Sequence, residues 1–255
     1  MKNFTRIILL TGLLVFLGLS AHAAGNSGSL PKQDWSFKGL FGTFDRTELR
    51  RGLQVYREVC AACHGLRLLR FEKLEGLGFT KEDIKVIASN YEVEGDLNSE
   101  GEPTTRPAEP KDHFVSPYPN ETAARAANNG AYPPDQTLIV KARSGGADYI
   151  HALLTGYQDP PSGLNLSQGM YYNTVFSGNQ IAMAPPLSEG LVEYPDGTPA
   201  TVHQMAHDVT TFLAWASDPE AEERRQMGIM VLLYVLIFAC IMYVLNRRLW
   251  KTVKG

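Results

Sequence analysis

The stretch VYREVCAACHGLRLL, residues 55–69, carries two of the chain's three cysteines, Cys60 and Cys63, with His64 directly after the second. C-x-x-C-H is the attachment signature of a c-type haem. Two thiols at this spacing add across the two vinyl groups of one porphyrin, and the adjacent imidazole is carried beneath the iron. Rival readings fare worse. A thioredoxin-like dithiol needs a surrounding β-α-β pattern, which the sequence lacks. A structural zinc site needs four ligands, and no second Cys/His cluster supplies them. A plain disulfide leaves His64 unexplained.

Upstream, Asp45–Val59 places apolar residues at 49, 53, 56 and 59. That stripe predicts an amphipathic helix running straight into Cys60, with Asp45 as N-cap and Glu48 completing a capping box. Further helices are expected at Thr80–Ser89, at Asp148–Gly156 and at Thr201–Ser217, where Pro219 follows. Tyr157–Pro199 is rich in Gly and Pro and reads as irregular. Between these, Glu92–Asp112 holds seven acids against Arg106 and Lys111, with Pro103, Pro107 and Pro110. Its composition predicts a solvated, partly disordered loop, equally usable as a docking surface. No fixed-period repeat is present, and alternating strand patterns are scarce.

The two ends define topology. Lys2 and Arg6 precede an apolar run from Ile7 to Leu19, and Ala21-His22-Ala23 follows. This is the plan of a secretory signal peptide over 1–23, because thirteen apolar residues span only ~20 Å as a helix. Met227–Leu245 is a nineteen-residue uncharged run, about 28 Å of helix and enough to cross a hydrocarbon core. Arg247, Arg248, Lys251 and Lys254 follow it, so the tail is expected on the cytoplasmic side. The expected plan is signal 1–23, exported body 24–225, anchor 226–246 and cytoplasmic tail 247–255. Cys240 lies in the anchor and reads as a small apolar residue. Six of the 24 basic residues fall in the signal and tail, leaving the body with 18 against 27 acids, a net charge of −9. Nucleic acid is a poor partner for such a surface and a basic protein a good one.

A haem iron has a second axial position, for which Met170, Met183, Met205, His113, His151, His203 and His207 are candidates. His203 and His207 are four apart, but Gln-Met-Ala between them lacks the Glu of a zinc-protease motif. Met183 lies in QIAMAPPLSEG, where Pro185 and Pro186 stiffen a segment made apolar by Ile181, Ala182 and Leu187. A thioether needs such a rigid, dry loop to be held on iron; Met170, in SQGMYYN, is the second choice.

The set CAACHG, RAANNGAYPPD (125–135), KARSGGADYIHALLTGY (141–157), IAMAPPL (181–187) and DGTPAT (196–201), with a C-terminal anchor, closely resembles the cytochrome c1 family. That family supplies the haem c subunit of the ubiquinol–cytochrome c oxidoreductase, or cytochrome bc1, complex. The resemblance covers nearly the whole mature chain and is loosest in the acidic insert. It implies one covalent haem c on Cys60 and Cys63, with His64 and Met183 as axial ligands. It also implies Arg143 beside a propionate, Tyr149 close to the haem, and Asn128-Asn129-Gly130 with Pro133-Pro134 along its edge.

The implied fold is mostly α: an enlarged class I cytochrome c domain with long loops plus one C-terminal transmembrane helix. In it the first and last body helices cross, with Gly52 against Phe212 or Trp215, and the 119 positions between His64 and Met183 accommodate long insertions. The implied role is non-quinone-binding electron transfer, from the Rieske iron–sulfur protein to a soluble, basic cytochrome c. Cytochrome b and a dimeric complex are the implied surroundings, in a bacterial inner membrane with the haem domain in the periplasm. Two other classes stay in view. A membrane-tethered cytochrome shuttle would carry a flexible linker where this chain has only Glu220–Arg225, and a ligand-binding haem protein would leave the iron open.

Overall fold

A computed structural model describes residues 30–254, so the signal-peptide expectation for 1–23 lies outside the described residues. Six α-helices carry the architecture: α1 (Arg46–Glu58), α2 (Lys81–Ser89), α3 (Glu121–Ala127), α4 (Gly146–Thr155), α5 (Val202–Ala216) and α6 (Ala221–Lys254). Two short two-stranded antiparallel sheets join them, β1 (Glu92–Leu97) with β2 (Pro103–Pro107) and β3 (Tyr171–Tyr172) with β4 (Gln180–Ile181). The expectation of a mostly helical body with long loops holds.

Helix α1 begins where Asp45 accepts from the backbone N–H groups of Thr47 and Glu48, satisfying two of the donors that a helix start leaves open. Glu48 does not complete a capping box. Its carboxylate turns toward α5, where the Thr211 hydroxyl donates to it at 3.4 Å, and burial raises its pKa. In α2, by contrast, Thr80 and Asp83 form the reciprocal box in full.

The α1–α5 crossing organises the core. A Cβ on Gly52 would lie 2.1 Å from the Asp208 carbonyl oxygen and 2.6 Å from the Phe212 Cβ, so only glycine permits this approach. Phe212 is thus the crossing partner, while Trp215 packs one layer away, 3.2 Å from where a Cβ on Gly76 would stand. Next to Gly52, Arg51 forks onto Asp208, Nε to Oδ2 at 2.9 Å and Nη2 to Oδ1 at 3.0 Å. Asp208 is 0 % exposed, and a carboxylate so placed needs this bidentate partner to offset its desolvation.

Two further expectations are corrected. The acidic insert is no loose loop but a hairpin. Val93 pairs with Arg106 and Glu94 with Thr105, the Asn98 side chain accepts from the N–H groups of Glu100 and Glu102, and Arg106 grips Asp112 at 2.7 and 3.0 Å. One face is exposed and the other only half-buried, with Val93 its one large apolar side chain on the core, too little alternation for composition to reveal. The hinge expected at Glu220–Arg225 is largely helix, because α6 starts at Ala221. Lastly, α3 ends in the Asn-Asn-Gly turn, a helix the sequence reading did not foresee.

The first turn of α6 is bound to the body by Lys73–Glu220 at 2.7 Å, Arg46–Glu222 at 2.6 Å and Lys141–Asp218 at 2.8 Å, with Arg224 also on Asp218. Beyond it the helix exposes Met230, Leu236, Phe238 and their neighbours, and it is long and apolar enough to cross a membrane. Cys240 is exposed on it, as an unpaired apolar-face residue would be.

A cluster of rings closes the other side of α5. Trp35 stacks on His207 at 4.6 Å and meets His151 edge-on at 6.1 Å, and His151 lies 4.5 Å from His203. His151 is 2 % exposed and its Nε2 has no hydrogen-bond partner among the described residues. Burial, then the neighbouring His203 and His207, lowers its pKa to about 4, against the opposing pull of Asp148. The folded form therefore holds His151 neutral while the unfolded chain protonates it below about 6.5. Stability is expected to be intact above pH 6.5 and to fall as pH drops from about 6.5 to about 4, by on the order of 2–3 kcal/mol from this group. Urea unfolding across that range should show the loss, and His151→Phe should flatten the limb relative to wild type.

Candidate functional site

Helix α1 does not stop before the C-x-x-C-H run but tightens into it. The Val59 N–H still bonds to the Val55 carbonyl, and a 3₁₀ turn over Cys60–Ala62 follows at once. The Cys63 and His64 N–H groups both return to the Cys60 carbonyl, at 3.1 and 2.9 Å. This compact turn sets both thiols and the imidazole on consecutive steps of one rigid element.

His64 is fixed from both ends. The buried Tyr56 hydroxyl donates to its carbonyl at 2.9 Å, and its ring Nδ1 meets the Pro134 carbonyl at 2.7 Å. Since a carbonyl only accepts, Nδ1 carries the proton and Nε2 presents a lone pair. Burial lowers the His64 pKa, partly offset by the Pro134 carbonyl and Asp135, which keeps the imidazole neutral as a metal ligand requires. The Pro134 loop is itself held by Asp135, whose carboxylate accepts from the Arg67 N–H at 2.9 Å and from the Thr137 N–H and hydroxyl at 3.0 and 2.6 Å. Gly65 allows this approach: a Cβ there would lie 2.7 Å from the Ser116 hydroxyl and 3.2 Å from Asp135 Oδ2.

The thiols are half-buried and not joined to each other. Burial, reinforced by Cys63, pushes the Cys60 thiol up to about 12. A dithiol redox centre is built the opposite way, with a depressed pKa and a ready thiolate. Beside Cys63 opens a cleft of about 680 Å³ walled by Pro117, Tyr118, Tyr132 and Pro133, of the size that holds a small-molecule cofactor. Unpaired thiols and a histidine whose Nδ1 is committed to the Pro134 carbonyl fit a covalently attached haem; the cleft meets this set at Cys63, its walls including none of Cys60, His64 and Met183.

Met183 is half-buried in its own fixed segment. The Tyr157 hydroxyl donates to its carbonyl at 3.0 Å, and burial raises that hydroxyl's pKa. The β3–β4 pair delivers the chain to it, Tyr171 opposite Ile181. Within that hairpin, fully buried Asn173 donates to the Leu153 carbonyl at 2.8 Å and accepts from the Val175 and Phe176 N–H groups. Asn179, at φ 57°, closes the turn.

The other sequence candidates separate. Met170 is half-buried in the turn before β3, Met205 is fully buried in α5, and His113 is exposed on the wall of the cleft. His151, His203 and His207 belong to the Trp35 cluster. Arg143 is exposed, bonds only to the Ala142 carbonyl at 3.2 Å, and has no carboxylate partner among the described residues. Tyr149 is half-buried against the core. Asn128 donates to the Ala124 carbonyl at 2.7 Å as the cap of α3, so its visible role is turn closure, with Asn129 and Gly130 left-handed behind it. Pro134 enters through its carbonyl rather than its ring. Tyr56, Asp135, Tyr157 and Asn173 were not singled out in the sequence. Asp135 and Tyr157 stood at the ends of quoted motifs, but their contacts reach 68 and 26 positions along the chain.

A helix-rich body whose first helix presents C-x-x-C-H, tied to one helix long enough to cross a membrane, defines a membrane-anchored c-type cytochrome. Residues 35–253 match the Cytochrome C1 family. The chain is 40 % identical to the protein named cytochrome c1 of Rhodospirillum rubrum, covering 98 % of this chain and 97 % of that one. It is 48 % identical to the cytochrome b-c1 complex catalytic subunit, mitochondrial, of Candida albicans, over 88 % of this chain and 78 % of that one. Against the protein named cytochrome b/c1 of Bradyrhizobium diazoefficiens it is 43 % identical over 96 % of its own length and 39 % of that protein. The chain belongs to the cytochrome c1 family.

Asp135→Ala should loosen the Pro134 carbonyl from His64 without touching the motif itself. The expected result is intact covalent haem with a midpoint potential displaced by tens of millivolts, about what one altered second-shell hydrogen bond produces. Redox titration against the wild type measures it.

Proposed function

We propose that this chain is the electron-transfer subunit of a cytochrome bc1-type quinol–cytochrome c oxidoreductase. In this reading it takes one electron at a time from a Rieske iron–sulfur protein and passes it to a soluble cytochrome c. The observation that carries the reading is the arrangement of Cys60, Cys63 and His64 on a single turn whose imidazole Nδ1 is locked by Pro134. Bound haem c supplies reversible one-electron chemistry. Cys60 and Cys63 would hold it as thioethers, and His64 through Nε2 and Met183 through its sulfur would be the residues that ligate the iron. A thioether opposite an imidazole raises the potential relative to two nitrogen ligands, and filling both positions leaves electron transfer as the available chemistry.

The two axial residues are held in the same way. A tyrosine hydroxyl donates to the backbone carbonyl of each, buried Tyr56 to His64 and half-buried Tyr157 to Met183. Such bracing limits movement between redox states, which suits rapid exchange. Arg143, exposed and without an acidic partner among the described residues, would supply the counter-charge for a propionate. Tyr149, Asn128 and Pro134 would line the haem surroundings.

The relatives named for a cytochrome b-c1 complex, and for cytochrome b and c1 together, support a seat beside cytochrome b. The way α6 joins the body supports it too. Only Ser217–Glu220 separate α5 from α6, and ion pairs fix that junction, so the body is not the head of a flexibly tethered shuttle. The basic tail after Leu245 and the leader-like first residues orient the haem domain to the periplasm of a bacterial inner membrane and the C-terminus to the cytoplasm.

Net charge on the body is −9, and Glu92, Glu94, Asp96, Glu100 and Glu102 stand exposed on the β1–β2 hairpin. That field steers a basic acceptor, acting on encounter rate more than on bound-state stability.

Met183→Leu should retain covalent haem, abolish the weak far-red sulfur-to-iron band of the oxidised form and lower the midpoint potential by at least about 100 mV. Optical spectra with redox titration check both, and an unaltered band would sink the assignment of Met183. Reduction of a basic cytochrome c should also slow by roughly tenfold or more between low and high ionic strength, as stopped-flow rates would show.

A further inference from the structure

The segment between Trp35 and Arg46 holds a feature that electron transfer does not use. Trp35 and Phe44 are buried, and Phe37 stacks on Phe44 at 4.8 Å. Between them the chain makes a tight turn. The Thr43 N–H bonds to the Ser36 carbonyl at 3.0 Å, Gly39 sits at φ 87°, and a Cβ on Gly42 would lie 2.2 Å from the Lys38 carbonyl oxygen. At the outer end of this turn Leu40 is 64 % and Phe41 82 % exposed. Two large apolar side chains therefore stand on a rigid base with nothing over them among the described residues.

What the turn is fastened to identifies its surroundings. Arg225 Nη1 donates to the carbonyls of Phe37 and Gly39 at 3.0 and 3.1 Å. Glu222 accepts from the Phe44 N–H at 2.6 Å and pairs with Arg46. Both belong to the first turns of α6, and Arg225 is the last charged residue before the uncharged run that starts at Met227. Two residues of helix rise only ~3 Å, whereas the headgroup layer on each side of a hydrocarbon core is roughly 5–7 Å deep. The backbone of the turn is thus registered to the level at which the anchor passes from polar to apolar. Arg225 spends its hydrogen bonds on carbonyls and has no carboxylate within ion-pair distance among the described residues, leaving a positive charge at the height of lipid phosphates. Apolar tips on a turn fastened by a cation at this level are what an interfacial contact requires.

We propose that the Phe37–Thr43 turn is a second membrane contact, with Leu40 and Phe41 seated at the headgroup–acyl boundary beside the anchor. The proposal rests on the reading of α6 as a membrane span. Its effect is to fix the tilt and rotation of the haem domain relative to the bilayer, since one helix alone leaves both free.

The test uses the full-length protein with its co-purifying subunits, in vesicles of phosphatidylcholine and phosphatidylglycerol. A nitroxide is attached at Phe41→Cys in a Cys240→Ser background, with Leu40→Cys as a second site. Labels at Val86→Cys, on exposed α2, and at Leu236→Cys, in the anchor, serve as references. An unchanged haem spectrum reports correct folding of each. Collision rates with dissolved oxygen, which partitions into lipid, are compared with those of a water-soluble nickel chelate. The expected oxygen-to-nickel ratio at 41 exceeds that at 86 by about threefold or more and approaches that at 236. A ratio at 40 and 41 equal to that at 86 overturns the proposal. So does a label shielded from both reagents, which would mean that a protein subunit covers the tip. Should the label at 236 itself behave like the one at 86, the anchor reading falls, and the proposal with it.

Discussion

The close crossing of α1 and α5 at Gly52 is the constraint on which the rest of the molecule depends. With a glycine at the contact, the α5 backbone at Asp208 comes within reach of the α1 backbone, and no side chain separates them. The same contact brings Arg51 onto buried Asp208, which adds direction to an otherwise non-directional apolar interface. Breaking one member of such a buried pair typically costs about 3–5 kcal/mol, because the other charge is left without a partner in a dry site. Helix α1 is therefore fixed in position and rotation before it reaches Cys60. Whatever is attached at Cys60, Cys63 and His64 inherits that fixity.

From this frame the two axial candidates are braced by a common device at long sequence separation. Tyr56 comes from α1 itself, so the His64 backbone is tied to the crossing helix, whereas Tyr157 follows the end of α4 and ties the Met183 segment to it. Asp135 and Asn173 play matching parts as hubs, each converting a proline- or glycine-rich stretch into one conformation through side-chain bonds to backbone donors. Long loops thereby become as definite as the helices without forming regular structure. Each of the two segments, 119 positions apart at His64 and Met183, is thus fixed by its own set of side-chain bonds.

The junction with α6 extends the same logic to the membrane. Ion pairs from α1, from the 3₁₀ segment after the motif and from the loop before α4 all converge on Asp218–Glu222. A haem domain seated this firmly moves with its anchor. In the proposed role, the mobile element of the electron path is then the partner that arrives, and the acidic hairpin governs how the outgoing carrier finds its place.

Much of this was legible in the chain as written. The C-x-x-C-H run, the stripe of α1 with its Asp45 cap, the glycine of the crossing and the uncharged run of the anchor are local patterns, and local sterics, capping and hydrophobic periodicity act within a few residues. The hairpin at Glu92–Pro107 was hidden because its inward face is only half-buried and Val93 is the one large apolar side chain on it. Glu48 was drawn from its cap by Thr211 across the crossing, and the expected hinge became helix because Arg46, Lys73 and Lys141 reach it from elsewhere. Sequence by itself determined the chemistry of attachment and the class of fold. Tertiary structure alone decided which carbonyl meets the imidazole, which hydroxyl holds the methionine and which three histidines are withdrawn into a ring cluster, since those contacts join residues tens of positions apart and no local rule encodes them.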